Sequence, residues 1–149
     1  MEALAALGVA GTVVQFVDFS SKLISKGNEY HRSVSGALVE HTELRAIAEN
    51  MAVLSAGLDK SMNTIRSTKR AIMSPEERSL QNVVEDCRKI ALEFIEVLDR
   101  FTISGTSQRW KSFRQAFKTM WNKEKIEDTL RKLNMAREQL VINLLVVIR

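Results

Sequence analysis

Charge is missing from the start of this chain: between Glu2 and Asp18 no residue is ionisable. That absence excludes an ordinary surface helix, which sets an apolar stripe against a charged face. The uncharged run covers about 22 Å at 1.5 Å per residue, short of the roughly 30 Å hydrocarbon core of a bilayer. By itself it is therefore no conventional membrane span. Met-Glu ahead of it lacks the Lys or Arg of a secretory signal, and Lys22 comes only after the run. The expectation is a soluble, cytoplasmic chain that keeps this segment. Cysteine is nearly absent too: Cys87 alone permits no intramolecular disulfide, in keeping with a reducing compartment. One proline, Pro75, and six glycines in 149 residues are too few turn formers for an all-β domain of this length. The fold class expected is all-α, in one domain.

The residues of catalysis are missing as well. No glycine-rich phosphate loop occurs anywhere. His31 and His41 have no ligand spacing with each other or with Cys87, and His41-Thr42-Glu43 is not the HExxH zinc pattern. Cys87 has Glu85 and Asp86 beside it, the wrong charges for a reactive thiolate. We expect no enzyme, no metal and no cofactor.

What is present is helical periodicity. A first helix is predicted from about Ala3 to Tyr30 and a second from about Leu38 to Arg66, with Ile47, Met51, Leu54, Leu58, Met62 and Ile65 spaced three and four apart. Ser74-Pro75-Glu76-Glu77 is a capping box with proline at the first helical position, so a third helix starts there. Its stripe of Leu80, Val83, Cys87, Ile90, Phe94 and Val97 is widened by Val84, Ala91, Ile95 and Leu98. A stripe that wide predicts packing against two neighbours. A short fourth helix puts Trp110, Phe113, Phe117 and Trp121 on one side. A last one runs from about Lys123 with Ile126, Leu130, Leu133, Leu140, Leu144 and Val147 as a seam interrupted at Arg137. The expected architecture is an antiparallel bundle of four long helices plus one short aromatic-basic helix. Because the helical pattern reaches Arg149 without a cap, the domain at 1–149 is read as the N-terminal module of a longer protein.

Charge is unevenly shared. Residues 75–103 carry net −3 and residues 104–149 net +6. Two readings follow: helices with complementary edges, or an anionic-surface patch made of Arg109, Lys111, Arg114, Lys118, Lys123 and Lys125. The patch interleaves with the aromatic residues, a composition shared by interfacial membrane helices and by short core helices that close a bundle. No nucleic-acid reading motif accompanies it, so nucleic acid is not an expected partner.

The opening MEALAALGVAGTVVQFVDFSSKLISKGNEYHRS, the middle CRKIALEFIEVLDRF and the late WKSFRQAFKTMWNKEKIEDTLRKLNMAREQL together resemble the N-terminal domain of fungal STAND NTPases, the NOD-like receptors of filamentous fungi. By helix pattern the chain is also similar to the HeLo-like group of helical domains. The resemblance implies an output module, ahead of an ATPase and a sensor, that oligomerises on activation. It would be recruited to the plasma membrane and perturb it through its first helix, causing cell death in nonself recognition. Leu4, Leu7, Val13, Val14, Phe16 and Val17 are then the membrane-insertion candidates, expected to be hidden from water while the helices stay packed. Releasing six such side chains costs on the order of 10 kcal/mol. Ala3, Ala6, Ala10, Gly8 and Gly11 would let clustered helices approach closely. The opposing reading is a core helix whose small residues serve internal packing, in an adaptor that binds a partner helix or a second copy without touching lipid. Self-association, anionic lipid and a partner helix are the expected partners.

Overall fold

The computed structural model describes residues 3–29, 37–67, 74–102 and 121–147. They form four α-helices and, among the described residues, no strand: α1 (Ala3–Glu29), α2 (Ala37–Arg66), α3 (Pro75–Thr102) and α4 (Lys123–Val147). The predicted short helix at Trp110–Trp121 lies outside the described residues except for Trp121, which stands two residues before α4.

Local chemistry fixes the ends. Ser74 caps α3: its hydroxyl accepts the Glu77 N–H at 3.1 Å, and its carbonyl accepts the Arg78 N–H at 3.0 Å. Asn122 does the same for α4, its side-chain oxygen accepting the Lys125 N–H at 2.8 Å. At the close of α2 the Ser67 N–H reaches the Asn63 carbonyl at 2.9 Å and its hydroxyl the Thr64 carbonyl at 3.0 Å. These bonds satisfy backbone groups that a helix end leaves without partners.

One core joins the helices. Val13, Phe16, Val17 and Ile24 of α1 meet Met51, Leu58, Met62 and Ile65 of α2, Leu80, Cys87, Phe94 and Leu98 of α3, and Leu133 and Leu140 of α4. α2 packs most extensively on α3, while α1 and α3 each also pack on α4 and α1 on α2. The wide stripe of α3 thus serves two main neighbours, as its width requires. In one direction, Ala5, Gly8 and Thr12 of α1 border the same groove as Thr64, Ser61 and Gly57 of α2, and further along Phe19 and Leu23 border another with Ile47. The two helices therefore run oppositely. α3 and α4 also run oppositely, since Ser79 takes hydrogen bonds from Asn143 at 3.0 Å and Gln139 at 3.1 Å, whereas Glu93 pairs with Lys125 at 2.8 Å. Arg88 ties α3 to α2 through Asp59 at 2.8 Å.

The first helix as candidate functional surface

Consecutive residues of an α-helix turn by about 100°, so α1 can be divided by direction. Ala6, Val9, Ala10, Val13, Phe16, Val17, Ser20, Leu23 and Ile24 point inward and are buried. Leu4, Leu7 and Val14 point outward and are 80%, 48% and 45% exposed, with Gly8 and Gly11 in the same exposed sector. The expectation that all six insertion candidates are hidden is therefore corrected: Val13, Phe16 and Val17 are buried, but Leu4, Leu7 and Val14 are not. The cause is geometric. The neighbours of α1 cover one side of it, and a helix without charge on any face still keeps an outer side. The estimated release cost stands with different members, because Val9, Leu23 and Ile24 take the places of the three exposed residues. Six large buried side chains again amount to on the order of 10 kcal/mol.

The glycines divide in the same way. A Cβ on Gly8 or Gly11 would meet none of the described residues within 4 Å, so neither permits a close approach among them. That role belongs to Gly57 of α2, where an added Cβ would lie 3.2 Å from the Thr12 Cγ2 of α1. The sequence reading did not single out Gly57. A lone glycine in a helical pattern does not announce which neighbour it faces.

The membrane-length argument also changes. α1 continues well past Asp18, and its stretch Leu4–Ile24 is, by length and composition, long and apolar enough to cross a membrane, with 39% of the window buried in the molecule. Its 21 residues rise about 31 Å. Counting only the uncharged run missed this, because Asp18 and Lys22 sit one turn apart and pair at 3.1 Å. Core helices of soluble proteins pass the same test of length and composition.

Of the anionic-surface patch, Arg109, Lys111, Arg114 and Lys118 lie outside the described residues, as do Trp110, Phe113 and Phe117. Lys123 is exposed at the first turn of α4. Lys125 instead joins Glu93 at 2.8 Å and stands 5.2 Å from the centre of the Trp121 ring. Trp121 is buried, its ring 4.9 Å from that of Phe94. Trp121 is thus a member of the core, and Lys125 is paired with the acidic α3.

Elsewhere three titratable groups are shifted by their surroundings. Burial, with Asp86 beside it, pushes the Cys87 thiol up to about 12. Arg88 is held above its ordinary value first by its hydrogen bond to Asp59, with Glu85 adding to it. Lys132 and then Arg131 hold the Asp128 carboxyl below its ordinary value. A second apolar surface escaped the sequence reading: Val141, Ile142, Leu145 and Val146 of α4 are exposed beside the seam residue Leu140. The apolar pairs on either side of Asn143 and Leu144 were the available signal.

Together, the fold and this surface define an all-helical domain that carries a half-exposed apolar helix. The family model SesA, described as the N-terminal domain on NACHT NTPases and P-loop NTPases, matches residues 10–140, and the chain belongs to that family, an N-terminal domain of STAND NTPases. No curated protein and no solved structure matches the chain.

Proposed function

We propose that this chain is the output domain of a fungal NOD-like receptor. In this reading it is cytoplasmic and non-enzymatic, an antiparallel helical bundle with a short aromatic-basic helix before α4. On activation it oligomerises and perturbs the plasma membrane through α1, causing cell death in nonself recognition. The observation that carries the reading is the double character of α1. It is a helix of membrane-spanning length whose outer side already presents Leu4, Leu7 and Val14, while its inner side is committed to the core. Lipid would have to replace the contacts that the inner side loses. The Asp18–Lys22 pair falls inside the window and lowers the cost of carrying those two charges inward.

Dye leakage from anionic and neutral liposomes tests the proposal. The wild-type chain is expected to release dye, and Leu7→Glu with Val14→Glu is expected to stop it. Both positions are exposed, so the variant keeps the fold, whereas Val17→Glu would place a charge in the core. Leakage that survives in the folded variant, or its absence from wild type, contradicts the proposal. Changing Lys111, Arg114 and Lys118 to Glu is expected to remove binding to anionic vesicles at low salt.

An adaptor reading is favoured by one separate observation, the exposed Val141, Ile142, Leu145 and Val146, which offer a partner helix an apolar surface on α4. A self-associating chain that leaves liposomes intact would support that reading.

A further inference from the structure

α1 is not held evenly along its length. Among residues 4–12 the buried side chains are Ala6, Val9 and Ala10, and Val9 alone of these is larger than a methyl group. Val13, Phe16, Val17, Leu23 and Ile24 follow, all of them buried in the shared core. Apolar burial scales with side-chain area, so the second stretch is held far more firmly than the first. That stretch has one cost of its own, the buried Ser20 hydroxyl with no partner among the described residues, which the five large side chains outweigh. The first stretch also fits α2 loosely. Ala5, Gly8 and Thr12 line one side of a groove of about 320 Å³, and Gly57, Ser61 and Thr64 the other, with Lys60 beside them. Space that neither helix fills forfeits dispersion contacts. Thr12 is the one polar residue from 3 to 12, and its hydroxyl donates to the Gly8 carbonyl of its own helix at 3.1 Å. Such a bond weakens a helix locally and often bends it. Gly8 and Gly11 weaken the same turns.

We infer that α1 opens in two stages: in water, residues 3–12 leave the bundle by turning about Thr12 while residues 13–24 keep the core closed. The pivot is where α1 comes close to α2, since a Cβ on Gly57 would lie 3.2 Å from the Thr12 Cγ2. A detached helix this short is marginal in water, so its backbone hydrogen bonds open with it. Opening bares Val9 beside the already exposed Leu4 and Leu7, and the stretch then presents apolar side chains in every direction. As a helix it would span about 15 Å, half of the roughly 30 Å hydrocarbon core. This opening therefore precedes the full release of α1 and does not replace it. The inference deepens the release in the proposed function, but it needs neither lipid nor membrane activity.

Native-state hydrogen exchange of the 149-residue chain in lipid-free buffer, read amide by amide by NMR, is the test. The first four N–H groups of a helix have no partner within it, so the reporters are residues 7–12 and 17–24. Residues 7–12 are expected to exchange at least about a hundredfold faster than 17–24 and to respond little to low denaturant, while 17–24 follow global unfolding. Ile24→Val, a change mild enough to keep the fold, separates the stages. It should speed exchange at 17–24 several-fold and leave 7–12 unchanged, because residue 24 stays packed while 3–12 are open. Equal protection across both stretches overturns the inference, as does a variant in which both speed up together. Failure of the leakage test leaves this exchange pattern in place, and uniform exchange leaves the leakage test untouched, so the two proposals fail separately.

Discussion

Ser20 is fully buried on the inner side of α1, and its hydroxyl has no hydrogen-bond partner among the described residues. A polar group left so costs roughly 1–3 kcal/mol, so Ser20→Ala is expected to raise stability by about 1 kcal/mol in chemical denaturation. Cys87 works in the opposite sense, as a small apolar residue that happens to be a thiol. Because its folded value is raised to about 12, the folded state favours the neutral thiol. Its contribution is intact below the ordinary thiol range and declines as pH rises above that range, where the unfolded chain releases the proton first. Thiol reagents at pH 8 should therefore leave the native chain unmodified and react once it is unfolded; rapid native labelling would contradict the burial. Phe94 is where α3 meets Trp121, and Phe94→Ala is expected to cost about 3–5 kcal/mol by the same denaturation measurement.

Among the elements, α3 was the most legible in the sequence. Ser74 and Pro75 fixed its start, and Leu80, Val83, Cys87, Ile90, Phe94 and Val97 are all buried as their spacing required. Ser74→Ala should remove the cap and lower stability by about 1 kcal/mol. α1 was legible as a helix but not by direction. With no charge between Glu2 and Asp18, nothing in the pattern separates the side bearing Leu7 from the side bearing Phe16. Only the placement of α2 and α4 decides that. Gly57 was silent for the same reason, since its partner Thr12 is remote in sequence. Gly57→Val is expected to push α1 away from α2 and cost about 1–3 kcal/mol, with Gly8→Val at the open position as the control that leaves the monomer folded. The exposed Val141, Ile142, Leu145 and Val146 were missed because a seam was read where the helix is apolar on several sides. The short aromatic-basic helix at Trp110–Trp121 remains a sequence expectation, all of it but Trp121 lying outside the described residues.

At the scale of the molecule, the charge asymmetry between residues 75–103 and 104–149 is used at least once internally, by Glu93 and Lys125 across α3 and α4. Both side chains are more than a third exposed, and such a pair contributes about 0–1 kcal/mol, so it orients the helices more than it holds them. The holding is done by the shared apolar core, and α1 is the member of that core proposed to have a second use. The account therefore turns on whether α1 must separate from its neighbours to act on a membrane. Thr12 and Gly57 bring α1 and α2 within disulfide reach, and Cys87 is too buried to interfere. The decisive measurement is liposome leakage by a Thr12→Cys, Gly57→Cys variant in its oxidised and reduced forms. The account expects the oxidised form, with α1 tied to α2, to be silent, and reduction to restore leakage. Equal leakage from both forms, or none from the reduced one, would contradict it.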